Sequence, residues 1–355
     1  MTAGAIINLV TNKEELLYKD ENLSEILSLS NTLRINCKYT ENIRIKKFSS
    51  STLINKGKLL ELKGKIDFFK IDLIIFNYPL SPSQQKNLEK YLNIKAIDRT
   101  GLIIEIFADR ALSSEGKLQV ELADLTYRKS RLVRAWTHLE RQRGGQSFVG
   151  GPGELQIELD RRLIQERITS LKQQLKKIIK RRNNQRNNRK RGELSSFAIV
   201  GYTNSGKTTL FNALTKKSEY AKNELFATLD TKISKIYLGS KNATIIDTVG
   251  FISKIPTQLI DAFKATLEEV SISDRLINVV DINDINFQEK IKITKNILLS
   301  TGVSEEKIKN MITIFNKIDL KNNDTYLNTD SKIYVSASKG VGIEVLRNKL
   351  NKVSS

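Results

Sequence analysis

The chain has 355 residues, with 59 Lys and Arg against 39 Asp and Glu, a formal net charge of +20 and one cysteine, Cys37. That length supports two or three domains with sizeable cores, and a lone cysteine excludes an internal disulfide. No apolar run approaches the ~20 residues a membrane helix needs, and the N-terminus lacks a signal pattern; a cytoplasmic protein is expected, with loose attraction of basic segments to a membrane surface left open. The charge points to an anionic partner such as nucleic acid, although a general Lys and Asn bias in composition would give the same total.

Residues 1–112 read as a small α/β domain. Strand patterns run at Ala5–Val10, Ile35–Tyr39, Ile71–Phe76 and Ile94–Ile97, with helical patterns at Leu23–Leu33, Lys58–Phe69 and Ser83–Leu92. This alternation favours a parallel sheet. Pro82 stands where the first turn of a helix tolerates it. The stretch contains no phosphate loop, metal cluster or catalytic constellation. Cys37 reads as a small buried apolar residue rather than a nucleophile.

Residues 113–192 change character. Leu118, Leu122, Leu125, Leu132, Trp136 and Leu139 form one helical seam, and Ile157, Ile164, Ile168, Leu171, Leu175 and Ile178 a second. Gly144–Gly153 between them is expected to break the helix, so the segment reads as an antiparallel helical hairpin with a glycine-rich tip. Trp136 belongs to the seam; His138, the one histidine, lies off it and reads as solvated. Glu115–Arg191 holds 20 Lys and Arg against 8 Asp and Glu. More than half of the excess charge thus sits in about a fifth of the chain, which composition bias would not produce and RNA contact would require. Lys176–Arg191 is expected to be both a phosphate-contacting surface and the linker into the C-terminal region.

Residues 193–355 carry the chemistry. Phe197–Val200 leads into Gly201, Tyr202, Thr203, Asn204, Ser205, Gly206, Lys207 and Thr208, the G-x-x-x-x-G-K-T spacing of a phosphate-binding loop between strand and helix. Gly201 and Gly206 permit backbone angles that turn N–H groups inward. Lys207 is placed for the β- and γ-phosphates, and Thr208 for the Mg²⁺ that bridges them. A second strand ends in Asp247, Thr248, Val249 and Gly250, where the Asp can position a metal-bound water and the Gly N–H can meet a γ-phosphate. Between them Phe226, Ala227, Thr228, Leu229 and Asp230 offer Thr228 as a second Mg²⁺ ligand that closes when γ-phosphate is present. Asn316, Lys317, Ile318 and Asp319 follow a strand and suit guanine, whose N1–H and exocyclic amine a carboxylate can accept. Ser336, Ala337 and Ser338 can support the base. These elements predict a guanine-nucleotide site in a Ras-like domain with a mixed six-stranded sheet, following an N-terminal α/β domain and a helical hairpin.

Arg99–Phe107, Glu115–Ala123, Gly151–Arg162, Gly201–Asn212, Leu225–Asp230 and Asp247–Phe251 together resemble the HflX family of GTPases over nearly the whole chain, most weakly in residues 1–95. The resemblance implies a GTP-hydrolysing, ribosome-associated protein that binds the large ribosomal subunit, splits stalled or idle ribosomes and inserts the hairpin tip into ribosomal RNA. Leu155 stands where the family usually has Thr. Many members also continue into a C-terminal subdomain, whereas this sequence ends one helix after Ser338.

Where Ras-like switches place a water-orienting Gln after D-x-x-G, this chain has Phe251. Slow intrinsic hydrolysis is therefore expected until ribosome docking orders the Thr228 and Gly250 loops. A K⁺ held partly by Asn204 is a second possible activator; the alternative is that Asn204 only shapes the loop. No dimerisation seam remains once the hairpin pairs with itself, so a monomer is expected. A GTP-controlled assembly factor that splits no mature ribosome is the rival reading. An ATP-driven RNA remodeller finds no phosphate loop in residues 1–112 to support it.

Overall fold

The computed structural model describes residues 2–142, 152–190, 194–215, 225–226, 228–253, 269–321 and 332–353, without the side chains of 13–14, 132–142, 152–157 and 182–190. Residues 144–151 of the tip expected at Gly144–Gly153, the side chains of Trp136, His138 and Leu155, and Ala227 lie outside the described residues. Two compact units emerge: residues 1–109 with 120–172, and residues 110–119 with 173–355.

The first unit contains β1 (Ala3–Val10), α1 (Lys13–Leu17), α2 (Lys19–Thr32), β2 (Asn36–Arg44), α3 (Lys56–Phe69), β3 (Leu73–Phe76), α4 (Pro82–Leu92), β4 (Lys95–Asp98) and α5, which begins at Arg99 and ends at Arg110. Its strands form a parallel sheet in the order β2-β1-β3-β4. Every residue of β1 is buried, as a strand covered on both faces must be. Ile7, Leu9, Ile74 and Phe76 pack with Leu59, Leu62, Ile66, Leu88 and Leu92. Ser81 caps α4 through a capping box, with Pro82 in its first turn. β2 runs beyond the expected Tyr39 because Thr40–Arg44 continue the ladder on β1; as an edge strand it is polar, and its pattern is weak. The helix α5 spans the Arg99–Phe107 stretch, whose resemblance to the HflX family places it at the start of the helical region.

The long helices are α6 (Ser114–Gln142) and α7 (Pro152–Lys190). Arg167 Nε donates to Glu121 Oε1 at 2.7 Å and Lys129 Nζ donates to Gln165. The paired numbers rise on one helix as they fall on the other, so these parts run antiparallel. Along the expected seam Leu122, Ile168, Leu171 and Leu175 are buried, and Leu118, Leu125, Ile164 and Ile178 are half-buried. Gly153, expected in the helix-breaking tip, is helical because Pro152 starts α7. The basic stretch up to Lys190 is helical too.

One buried carboxylate fastens α6 within the first unit. Asp98 Oδ2 accepts from Leu80 N at 3.0 Å, and Oδ1 accepts from Gly101 N at 2.9 Å and from the Tyr127 hydroxyl at 2.8 Å. Arg131 reaches Tyr127 and Gln85. Burial and the Asp98 charge push the Tyr127 hydroxyl pKa up. Asp98→Ala would leave three donors without this acceptor, and hydrogen bonds to charged groups are each worth about 1.5–3 kcal/mol. We expect a loss of about 3 kcal/mol or more from this unit, read as a fall in urea midpoint.

The second unit contains β5 (Ser195–Val200), α8 (Lys207–Thr215), β6 (Lys232–Tyr237), β7 (Asn242–Asp247), β8 (Arg275–Asp281), α9 (Phe287–Ser300), α10 (Glu305–Lys309), β9 (Ile312–Asn316), β10 (Lys332–Tyr334) and α11 (Ile343–Val353). The six-stranded sheet has the order β10-β9-β8-β5-β7-β6, with β6 antiparallel to β7 and the other pairs parallel. Alternation along β5 serves both faces. Phe197 and Ile199 join Leu210, Phe211, Leu346 and Leu350, whereas Ala198 and Val200 join Ile246, Leu276 and Leu298. The parallel strands deliver their carboxyl ends to one edge, where open α/β sheets form ligand crevices.

Candidate functional site: a phosphate loop and its flanking strand ends

Gly201 has φ 142° and Gly206 φ 90°, and Asn204 is left-handed at φ 61°. A Cβ on Gly201 would overlap the Val279 carbonyl, and one on Gly206 would overlap Asn316 Nδ2. Glycine is therefore required by space as well as by dihedral. Lys207 Nζ donates to the Tyr202 carbonyl at 2.8 Å. Gly250 lies against the loop, since a Cβ there would stand 2.8 Å from Thr203 Cα and 3.0 Å from Lys207 Nζ. Phe251 N donates to Gly201 O at 3.0 Å and Thr203 N to Phe251 O at 2.6 Å, so the phosphate loop and the D-x-x-G segment form one backbone ladder. The Phe251 ring is buried among Ala198, Val200, Ile246 and Leu298.

Thr208 Oγ1 lies 2.6 Å from Thr228 Oγ1 and donates to Asp247 Oδ2 at 2.9 Å. Thr203 Oγ1 accepts from Phe226 N at 2.9 Å, which holds the Thr228 segment on the phosphate loop. Asp247 Oδ1 is buried without a hydrogen-bond partner among the described residues. This set of oxygens fits Mg²⁺, which is commonly bound through few carboxylates together with waters and substrate phosphates. Its charge and waters would satisfy the orphaned oxygen. Among the described residues no group of three or more His, Cys, Asp or Glu side chains competes for a metal. Burial pushes the Lys207 ammonium pKa down to about 8 against the opposing charge of Asp247, and pushes the Asp247 carboxyl up.

The other predicted residues divide by position. Asn316 is buried, its amide nitrogen donating to Ser205 O at 3.0 Å and its oxygen accepting from Ala337 N at 3.0 Å. It brackets three loops, and the exposed carboxylate of Asp319 is the group beside it that remains to meet a base. The hydroxyl of Ser336, and then that of Ser338, hold the Asp319 carboxyl below the usual carboxylate range. Lys317 is left-handed at φ 66° and pairs with Asp281 at 2.7 Å. Asn283 Nδ2 donates to its carbonyl at 2.9 Å. Asp281 and Asn283 carry no recognised motif; their one signal is a position just past an apolar strand. Thr248 Oγ1 donates to Ile199 O at 2.6 Å, which joins two strand ends. Val249 and Leu229 are buried, and Ile318 opens a short 3-10 turn. Asp230 turns away from the phosphate loop to Leu112 and Ser113.

Comparison with known proteins agrees with this geometry. Residues 196–317 match the family model described as 50S ribosome-binding GTPase, residues 20–108 the GTP-binding GTPase N-terminal model, and residues 110–189 the GTP-binding GTPase middle region. GTPase HflX of Magnetococcus marinus is 45% identical over 93% of this chain and 77% of its own length. GTPase HflX of Escherichia coli K12 is 40% identical over 82% of this chain and 70% of its own. The chain belongs to the HflX family. It is a GTP-hydrolysing enzyme. Among solved structures, a GTP-binding protein of the archaeon Sulfolobus solfataricus in complex with GDP is 27% identical, covers 100% of this chain and 99% of its own, and has a TM-score of 0.51.

The lowered pKa of Lys207 has a consequence for ligand binding. Phosphate oxygens beside Nζ favour the ammonium form, so a nucleotide raises this pKa from about 8. Binding of a guanine nucleotide to this HflX protein should therefore take up a proton near pH 8.5, and affinity should fall as pH rises through about 8. Calorimetry in two buffers of different ionisation enthalpy measures the uptake; identical heats would contradict it.

Proposed function

We propose that this HflX protein binds the large ribosomal subunit through its basic hairpin and splits stalled or idle ribosomes, with the nucleotide state setting its affinity. The observation that carries this reading is the charge on α7, where Lys172, Lys176, Lys177, Lys180 and Arg181 are all exposed. A row of exposed cations suits an RNA backbone and reads no base sequence. The match of residues 196–317 to a 50S ribosome-binding GTPase model supports the same partner. We take the chain as three functional parts, residues 1–112, 113–192 and 193–355, acting as a monomer in the cytoplasm. Any membrane association would be loose and electrostatic.

In the reaction, Lys207 and the backbone N–H groups of residues 201–208 hold the β- and γ-phosphates. Thr208 and Thr228 would hold Mg²⁺, with Asp247 accepting from one of its waters; when bound, the ion would supply charge neutralisation along the phosphates. Gly250 N–H meets the γ-phosphate, Asp319 reads guanine, and Ser336–Ser338 steady that carboxylate. Phe251 is packed in the core and cannot orient water. Hydrolysis then depends on the ribosome to order the Thr228 and Gly250 loops. A K⁺ beside the exposed, left-handed Asn204 would add charge; equal GTPase rates in K⁺ and Na⁺ would remove that element.

Sedimentation of mature ribosomes on a sucrose gradient tests the reading. With a non-hydrolysable GTP analogue the protein should convert monosomes to subunits and travel with the large one. Binding to large subunits without loss of monosomes would favour the assembly-factor alternative.

A further inference from the structure

The loop that carries Thr228 is also fixed at its far end. Two residues beyond Thr228, Asp230 Oδ2 accepts from Leu112 N at 3.1 Å and Ser113 N at 2.9 Å, and the Ser113 hydroxyl donates to Oδ1. Ser113 is the N-cap of α6: its Oγ accepts from Gly116 N at 2.9 Å and its carbonyl from Lys117 N at 3.0 Å. A carboxylate from the nucleotide-binding loop thus completes the first turn of α6, where the helix has donors it cannot satisfy itself and a partial positive charge. These contacts join residues 117 and 118 positions apart in sequence, all within the second unit.

Gly116 makes the contact possible. It lies inside the first turn of a helix, where glycine costs about 1 kcal/mol relative to alanine, and its φ is not left-handed. Space explains it: a Cβ on Gly116 would overlap Asp230 Oδ1 and stand 3.2 Å from Ser113 Oγ. The helix gives up propensity at the position where the carboxylate approaches.

We infer that Asp230 is a latch between the nucleotide site and the root of α6. The segment from Phe226 to Asp230 has three described anchors: Phe226 N on Thr203, Thr228 on Thr208, and Asp230 on the α6 cap. Two residues span at most ~7 Å, so Thr228 cannot leave Thr208 by a long displacement while Asp230 holds its donors. Whatever draws Thr228 onto the metal end of GTP therefore tightens the cap. Linkage makes the effect reciprocal, so an intact cap favours GTP over GDP. The latch rests on the GTPase activity and is independent of the ribosome reading.

The test uses the full-length protein and the variants Asp230→Ala and Gly116→Ala. Gly116→Ala lies outside the phosphate-binding machinery and raises helix propensity, so it separates the latch from general unfolding; circular dichroism checks the fold. Fluorescent GDP and a non-hydrolysable GTP analogue give the ratio of affinities. Hydrogen exchange reads the amides of Leu112, Ser113 and Gly116 in both complexes. In the unsubstituted protein these amides should exchange more slowly with the analogue than with GDP. Both variants should lose that difference and shift the affinity ratio against the analogue by roughly five- to tenfold, near the lower range of allosteric couplings. Equal exchange in the two complexes of the unsubstituted protein would overturn the proposal. So would an affinity ratio unchanged in both variants. A ratio altered by Asp230→Ala alone would also overturn it, since Asp230 would then act on the loop and not through the α6 cap.

Discussion

A phosphate loop must keep several backbone N–H groups aimed at one point, a conformation that a free loop would not hold. Here the strand ends around it impose that shape. Gly201 is pressed against the Val279 carbonyl and Gly206 against the Asn316 amide, while Phe251 bonds the loop from the side of β7. Asn316 then joins the loop to residues 336–338. The phosphate end and the base end of the site therefore share one rigid bracket, and sheet order decides which strand ends can reach it. Nucleotide recognition in this fold depends on that close packing as much as on the side chains that touch the ligand.

The same packing explains the chemistry that is missing. A Ras-like water-positioning side chain would have to leave the position occupied by Phe251, whose ring is part of the core between β5, β7 and α9. Phe251 contributes to stability and to the ladder with the phosphate loop but offers no polar atom to water beyond its backbone. In the proposed reading, hydrolysis is completed from outside, and the exposed cations of α7 suit an anionic body such as RNA.

Much of this is legible in the sequence, for identifiable reasons. The phosphate loop, D-x-x-G and N-K-x-D segments each follow an apolar strand, and their chemistry is local, so spacing within each is enough to recognise it, while the sheet order brings them together. The α/β alternation of residues 1–98 is equally plain because β3 is apolar throughout and β1 is interrupted by one polar residue, Asn8. Other features depend on partners far apart in the chain. Nothing local marks Asn316 as a bracket for Ser205 and Ala337, pairs Lys317 with Asp281, or joins Asp230 to Ser113. Asp98, Tyr127 and Arg131 likewise meet only after α6 has packed within its unit. β2 is longer than its sequence pattern suggests because an edge strand carries no continuous apolar run.

Whether hydrolysis must be completed from outside is tested most directly by GTPase turnover with and without purified large ribosomal subunits, beside a Lys207→Ala control. We expect slow intrinsic turnover, stimulation of at least about tenfold by the subunits, and no activity in the variant under either condition. Turnover that is already fast alone and indifferent to subunits would contradict this, because Phe251 would then not leave the reaction dependent on an outside body.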